Sequence, residues 1–178
     1  MTLYTNEEYN SGDGMLTTVW GPSLWHYLHT MSFNYPASPT KEQKKYYRDF
    51  ILQLKNVLPC KHCRLNLVKN LKELPLLNKH MESRKSFSMY IYLLHEHINK
   101  MLGKKSNLSY EDVRERYEHF RARCTKKIVK IEKGCTESLY GEKSKCIIKI
   151  VPNKTKCKTF QMNKSCKKRR LRKTTKVI

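Results

Sequence analysis

Between residues 20 and 120, apolar side chains recur every three or four positions, the spacing that lines one face of an α-helix. Trp20-Gly21-Pro22 reads as the start of a first helix, because a first-turn proline lacks only an N–H that would have no helical partner. Trp25, Leu28, His29 and Ser32 then share a face, and Pro36 and Pro39 end the element. Thr40 and Gln43 have the spacing of a capping box, and Tyr47, Phe50, Ile51, Leu54, Val57 and Leu58 follow at helical spacing. Pro59 breaks this second helix. Cys60 therefore sits at the break, and Cys63 in the first turn of a third helix running towards Leu71.

Residues 74–82 read as a loop. Ser83 or Ser86 caps a fourth helix with a stripe of Phe87, Tyr90, Ile91, Leu94, His95, Ile98 and Leu102, and Gly103 marks its stop. Ser109 caps a short fifth helix, with Glu111 and Asp112 in its first turn and Val113, Tyr117 and Phe120 facing inward. No strand alternation or hairpin signal precedes residue 126. The expected fold is all-α: a four-helix bundle plus a short fifth helix over 15–123, a loose lead-in over 1–14, and a basic, largely irregular tail over 124–178. Within the tail, Cys-Ile-Ile-Lys-Ile-Val at 146–151 is the one strand-like run.

Charge divides the chain at the same place. Residues 1–120 hold 17 Lys/Arg against 12 Asp/Glu, a net of +5, whereas residues 121–178 hold 20 against 3, a net of +17. Cysteine divides there too: Cys60 and Cys63 lie in the body, and Cys124, Cys135, Cys146, Cys157 and Cys166 in the tail. Seven cysteines cannot all pair within one chain. The first 14 residues are polar and acidic, without the basic start and apolar run of a signal peptide, and no stretch is apolar enough for a membrane span. A reducing compartment is expected, where a CxxC is more often catalytic or metal-binding than a passive staple.

Three chemistries compete for Cys60-Lys61-His62-Cys63. Structural zinc needs four ligands, and no second CxxC or finger-spaced histidine pair completes the set. A thioredoxin-like motif needs a βαβ context, whereas this CxxC follows an amphipathic helix. A redox pair in a helical bundle fits a helix start with Lys61 and Arg64 nearby, because thiolates are stabilised in such a field. A dithiol passing two electrons onward also needs an acceptor in contact.

The ordered set Trp20-Gly21-Pro22-Ser23-Leu24-Trp25-His26-Tyr27-Leu28-His29, Asn34-Tyr35-Pro36, Pro59-Cys60-Lys61-His62-Cys63 and His95-Glu96-His97-Ile98-Asn99-Lys100-Met101-Leu102-Gly103-Lys104 resembles the Erv/ALR family of FAD-linked sulfhydryl oxidases, and most of all its members from large DNA viruses. Each piece alone is weak, and the set spans 15–120, essentially the body. The resemblance implies a thiol:oxygen oxidoreductase of the EC 1.8.3.2 type. FAD would be held by Gly21, Trp25, His29, Tyr35, His95, Asn99, Lys104 and Tyr117, with Lys104 near the phosphates. Cys63 would lie beside the flavin and Cys60 would meet the substrate dithiol. Electrons would end on O2, giving H2O2, and no metal would be needed. Glu96 stands where the family usually has asparagine and Tyr90 where tryptophan is common. A second, structural disulfide of cellular members falls on apolar residues near Leu76 and Leu108, so that bridge is missing.

The resemblance also implies a homodimer, protein or small-molecule dithiol substrates, and a shuttle cysteine on a flexible arm, with Cys124 the first choice. Tail disulfides are an equal alternative. The run Lys167-Lys168-Arg169-Arg170-Leu171-Arg172-Lys173 suits nonspecific polyanion contact or a solvated tail. The viral look suggests host cytoplasm or virion, with the mitochondrial intermembrane space as alternative. The competing function is a non-catalytic basic helical module with a structural CxxC that binds nucleic acid.

Overall fold

Four long helices carry the body of the protein in a computed structural model, which describes residues 4–123, 134–139, 142, 145–147, 151 and 155. The chain divides into two units, Met1–Tyr110 and Glu111–Ile178. In the first, a short helix α1 (Asn6–Tyr9) precedes α2 (Thr17–Phe33), α3 (Lys41–Val57), α4 (Lys61–Glu73) and α5 (Arg84–Met101), and a 3₁₀ turn (Asn78–Met81) joins α4 to α5. A further helix, α6 (Tyr110–Glu118), begins at the last residue of this unit.

The helix starts follow local chemistry. Thr40 and Gln43 form the expected capping box of α3, and Ser83 caps α5 with Ser86 returning the bond. Helix α5 ends in a Schellman motif. Gly103 at φ +66 donates to the Lys100 carbonyl at 3.0 Å, and Lys104 donates to that of Asn99 at 2.8 Å.

The core joins Leu28 of α2, Ile51 and Leu54 of α3, Leu67 of α4 and Phe87, Tyr90, Ile91 and Leu94 of α5, with Tyr35, Leu58, Leu76 and Met81 from the connections. Each such aliphatic or aromatic side chain contributes about 1.5–3 kcal/mol by leaving water. Side chains also pin the loop before α5: Tyr90 Oη donates to the Leu74 carbonyl at 3.0 Å, Tyr35 Oη to that of Met81 at 2.8 Å, and Arg48 to that of Leu76. Arg84 Nε donates to the Tyr35 carbonyl at 2.6 Å, from the start of α5.

Several details differ from expectation. Helix α2 starts at Thr17, so Pro22 is its sixth residue and withholds the N–H that would reach the Thr18 carbonyl. Its start is held from outside the helix: Met15 N–H donates to the Pro59 carbonyl at 2.7 Å, and Trp20 Nε1–H to the Met15 carbonyl at 3.0 Å. The lead-in holds α1, closed by a Thr5–Glu8 capping box, and the expected loop holds the 3₁₀ turn. Phe50 and Val57 face solvent on α3, at 39% and 67% exposure.

In the second unit, β1 (Ala122–Arg123) pairs antiparallel with β2 (Glu137–Ser138), a small hairpin where none was signalled before residue 126. Tyr117 meets Phe120 edge to face, with centroids 5.6 Å apart. Cys146 and Ile147 of the strand-like run are not in a strand, and 148–150 lie outside the described residues. Among the described residues, no helix is long and apolar enough to cross a membrane.

Candidate functional site

The redox motif sits where α3 stops. Pro59 prevents helix continuation, and Cys60 adopts the extended backbone of an N-cap residue, φ −159° and ψ 118°. The two cysteines are joined as a disulfide, with Cα atoms 5.2 Å apart. Cys60 Sγ accepts from the Cys63 N–H at 3.2 Å, and Arg64 Nη1 donates to the Leu58 carbonyl at 2.6 Å, bracing the turn. Both cysteines are half-buried, so a thiol can reach the bond. Disulfide-bonded sulfurs are not thiolates, which removes them as zinc ligands in this state.

A second group forms where α2 packs along α5. Trp25 stacks on His95 with ring centroids 3.9 Å apart and planes 7° from parallel. His29, 4% exposed, shares a 2.9 Å hydrogen bond between its Nε2 and His95 Nδ1, so one imidazole donates and the other accepts. Burial holds His29 far below the ordinary 6.5, at about 3, and the charges that His95 and His26 could carry add to the effect. Burial likewise lowers His95 to about 4; Glu96 opposes this and Lys104 adds to it. Both rings are neutral near pH 7. Trp25 and Cys63 pack against the same core cluster.

Beyond this group the C-terminal end of α5 turns basic. Glu96, Lys100, Gly103, Lys104, Lys105, Ser106, Asn107 and Leu108 line an open depression of about 460 Å³. Asn99 Nδ2 donates to Glu96 Oε1 at 3.0 Å, so the Glu96 carboxylate orients this amide.

The expected site residues separate by place. Trp25, His29 and His95 come together, Asn99 and Lys104 follow on the same helix end, and Cys60 and Cys63 are bonded. Gly21 lies on α2, where an added Cβ would meet nothing within 4 Å, so no protein contact demands glycine. Tyr35 is a core residue at 0% exposure, set edge-on to Tyr47 at 4.7 Å, and burial raises its hydroxyl to about 12. Its Oη is held on the Met81 carbonyl, so it packs at the core end of the expected set. Tyr117 belongs to the second unit, where burial raises its hydroxyl to about 12. Cys124 lies outside the described residues; Cys135 is disulfide-bonded and Cys146 is an exposed thiol. Lys100 and Lys105, outside the expected set, also line the depression.

The sequence model of the Erv1 / Alr family matches residues 22–134. The chain belongs to the Erv1/Alr family. A probable FAD-linked sulfhydryl oxidase of Acanthamoeba polyphaga mimivirus is 33% identical over 99 residues, which is 56% of this chain and 68% of that protein. The FAD-linked sulfhydryl oxidase ERV1 of Arabidopsis thaliana is 31% identical over 84 residues, 47% of this chain and 42% of that protein. The crystal structure of the yeast Erv1 core superposes with a TM-score of 0.52 at 25% identity, covering 66% of this chain and 96% of that one. The FAD-binding domain of Erv1 from Saccharomyces cerevisiae does so at 0.52 and 27%, covering 58% and 94%. The Erv1/Alr match thus takes in both the redox motif and the Trp25 group.

Proposed function

We infer that this chain is an FAD-linked sulfhydryl oxidase that makes disulfide bonds in dithiol substrates. The observation that carries the reading is the Cys60–Cys63 disulfide at the start of α4, exposed enough to be attacked. The donor set suits a flavin nucleotide: a flat ring surface at Trp25 and His95, neutral imidazoles at His29 and His95, and ammonium groups at Lys100, Lys104 and Lys105 for phosphates. Asn99, Gly21 and Tyr35 complete the proposed set within this unit, and Tyr117 is proposed from the resemblance alone. The oxidase domain is taken as 15–123, between the lead-in 1–14 and the tail 124–178.

The chemistry of the chain itself is thiol–disulfide exchange. A substrate thiolate attacks Cys60 Sγ, the bond to Cys63 breaks, and its electron pair leaves on Cys63 Sγ. The substrate's second thiolate then displaces Cys60, so the substrate leaves oxidised and both cysteines are reduced. FAD, where these residues hold it, would supply the two-electron acceptor chemistry, with O2 as final acceptor giving H2O2. Cys124 is the proposed relay from bulky substrates, tested by Cys124→Ser with a protein dithiol against dithiothreitol.

The alternative of a non-catalytic basic module is not supported, because the relatives carry oxidase names and the CxxC is oxidised. Relatives come from viruses and, in yeast, the mitochondrion. Host cytoplasm or virion is the proposed setting, with the intermembrane space as the other. A homodimer is proposed from the resemblance alone. Sedimentation as a monomer would refute it. Polyanion contact through 167–173 would weaken steeply with salt.

The deciding experiment is an absorbance spectrum of the purified protein before and after dithiothreitol in air. Flavin bands that bleach and recover as oxygen is consumed, and that do not bleach normally in Cys63→Ala, are the expected result. A colourless protein that takes up no FAD refutes the reading.

A further inference from the structure

The residues ahead of α2 lie against the redox pair. Gly14 forms an isolated antiparallel bridge with Cys60, and the neighbouring Met15 N–H donates to the Pro59 carbonyl at 2.7 Å. The Met15 carbonyl is itself held by Trp20 Nε1–H at 3.0 Å, which fastens this strip to α2. Gly14 has φ +107°, a conformation that side chains disfavour, and a Cβ there would stand 2.6 Å from the Pro59 oxygen and 2.8 Å from Cys60 Cα. Glycine satisfies both conditions. Gly12, two residues earlier, would meet nothing within 4 Å, so the steric demand is local to Cys60.

We propose that Gly14 and Met15 are positioning residues for the redox pair, bracing the Pro59–Cys60 peptide so that Cys60 stays beside Cys63 while the bond between them is open. The proposal rests on the oxidase reading. In each cycle the disulfide is cut, and the covalent tether on Cys60 is lost. Two backbone bonds then remain on Cys60 from its own turn: its N–H to the Leu58 carbonyl at 2.8 Å, and its carbonyl from the Arg64 N–H at 3.1 Å. The Met15 bond restrains the adjoining peptide from a different segment, so it resists movement of the turn as a whole. Fixing the backbone of one residue is worth roughly a factor of ten in the closure of such a ring. A braced Cys60 therefore presents a higher effective concentration to Cys63, and the disulfide is correspondingly harder to reduce.

The equilibrium that reads this is the protein disulfide plus two glutathione thiols against the protein dithiol plus one glutathione disulfide, in which two electrons pass from glutathione to the Cys60–Cys63 bond. The full chain with its FAD is equilibrated without oxygen in glutathione buffers at pH 7, then alkylated, and the oxidised fraction of Cys60–Cys63 is mapped by mass spectrometry. Gly14→Ala introduces the clash; Met15→Pro removes the donated N–H without a new side chain at 14. Gly12→Ala is the control. Both brace variants are expected to shift the equilibrium about tenfold towards the dithiol, ~30 mV for two electrons, with wild-type flavin content, while Gly12→Ala matches the wild type. Should Gly14→Ala fail to fold, Met15→Pro carries the test. A wild type that consumes no oxygen with dithiothreitol would overturn the oxidase reading, while the glutathione midpoints would still report on the brace. Midpoints in Met15→Pro and folded Gly14→Ala equal to that of the wild type overturn the brace.

Discussion

Acid should unfasten this protein through its two buried imidazoles. His29 and His95 have folded pKa values of about 3 and about 4, against an ordinary 6.5 that the unfolded chain recovers. Because the folded values are depressed, the unfolded chain takes up these protons first as the pH falls. Stability is therefore fully present above pH 6.5 and is lost from there down towards the folded values. At pH 5 each histidine is still neutral when folded, and the unfolded chain gains about 2 kcal/mol per site from protonation. The pair together costs ~4 kcal/mol between pH 8 and pH 5, enough to lower a urea midpoint by roughly 2 M at a slope of about 2 kcal/mol per molar. The assay is urea unfolding of the flavin-free and flavin-loaded protein at half-unit steps of pH, beside a His29→Gln/His95→Gln double variant. Burial of His26 and His80 acts in the same sense, so the comparison is between slopes. A wild type whose midpoint falls with pH no more steeply than that of the double variant would refute the reasoning.

Other expectations are more direct. Cys63→Ser should abolish oxygen consumption with dithiothreitol while retaining the flavin spectrum, since it removes half of the redox bond and little packing. Trp25→Ala should weaken FAD retention by roughly 30-fold, about 2 kcal/mol, as for truncating a buried aromatic anchor, measured by flavin release on dilution. Phe87→Ala, at a fully buried position between Tyr35 and Tyr47, should cost about 3–5 kcal/mol in urea unfolding. Thr40→Ala should cost only ~1 kcal/mol, the value of a helix cap, and leave kcat unchanged.

The long helices were legible because their signals are local. Thr40 with Gln43, Ser83 with Ser86, Pro59 and Gly103 each act within one turn, and periodicity identifies Ile51, Leu54, Phe87 and Ile91 as core. What the residues did not reveal depends on distant partners. The start of α2 is set by Met15 on Pro59, a contact across more than 40 positions that no periodicity encodes. Phe50 and Val57 keep helical spacing yet lie on the exposed side of α3, since spacing cannot say how wide the buried stripe is. Tyr35 carried the family motif, but its burial among Tyr47 and Phe87 appears only once α3 and α5 are packed. Of the proposed cofactor set, the Trp25–His29–His95 meeting requires α2 to lie along α5. The motif order implied that arrangement through resemblance, and helical spacing alone did not.

The loop between α4 and α5 is fastened by Arg48, Tyr90 and Tyr35 through hydrogen bonds to its backbone carbonyls, Arg84 ties the start of α5 to the Tyr35 carbonyl, and Cys60 and Cys63 are the only cysteines in the first 120 residues. A protein that spends its working life meeting reductants has thus built the frame of its body from fasteners that thiols cannot cut. In the proposed oxidase cycle the one sulfur bond available to this helical body opens at every turnover, so the frame can keep its shape whichever way the electrons have gone.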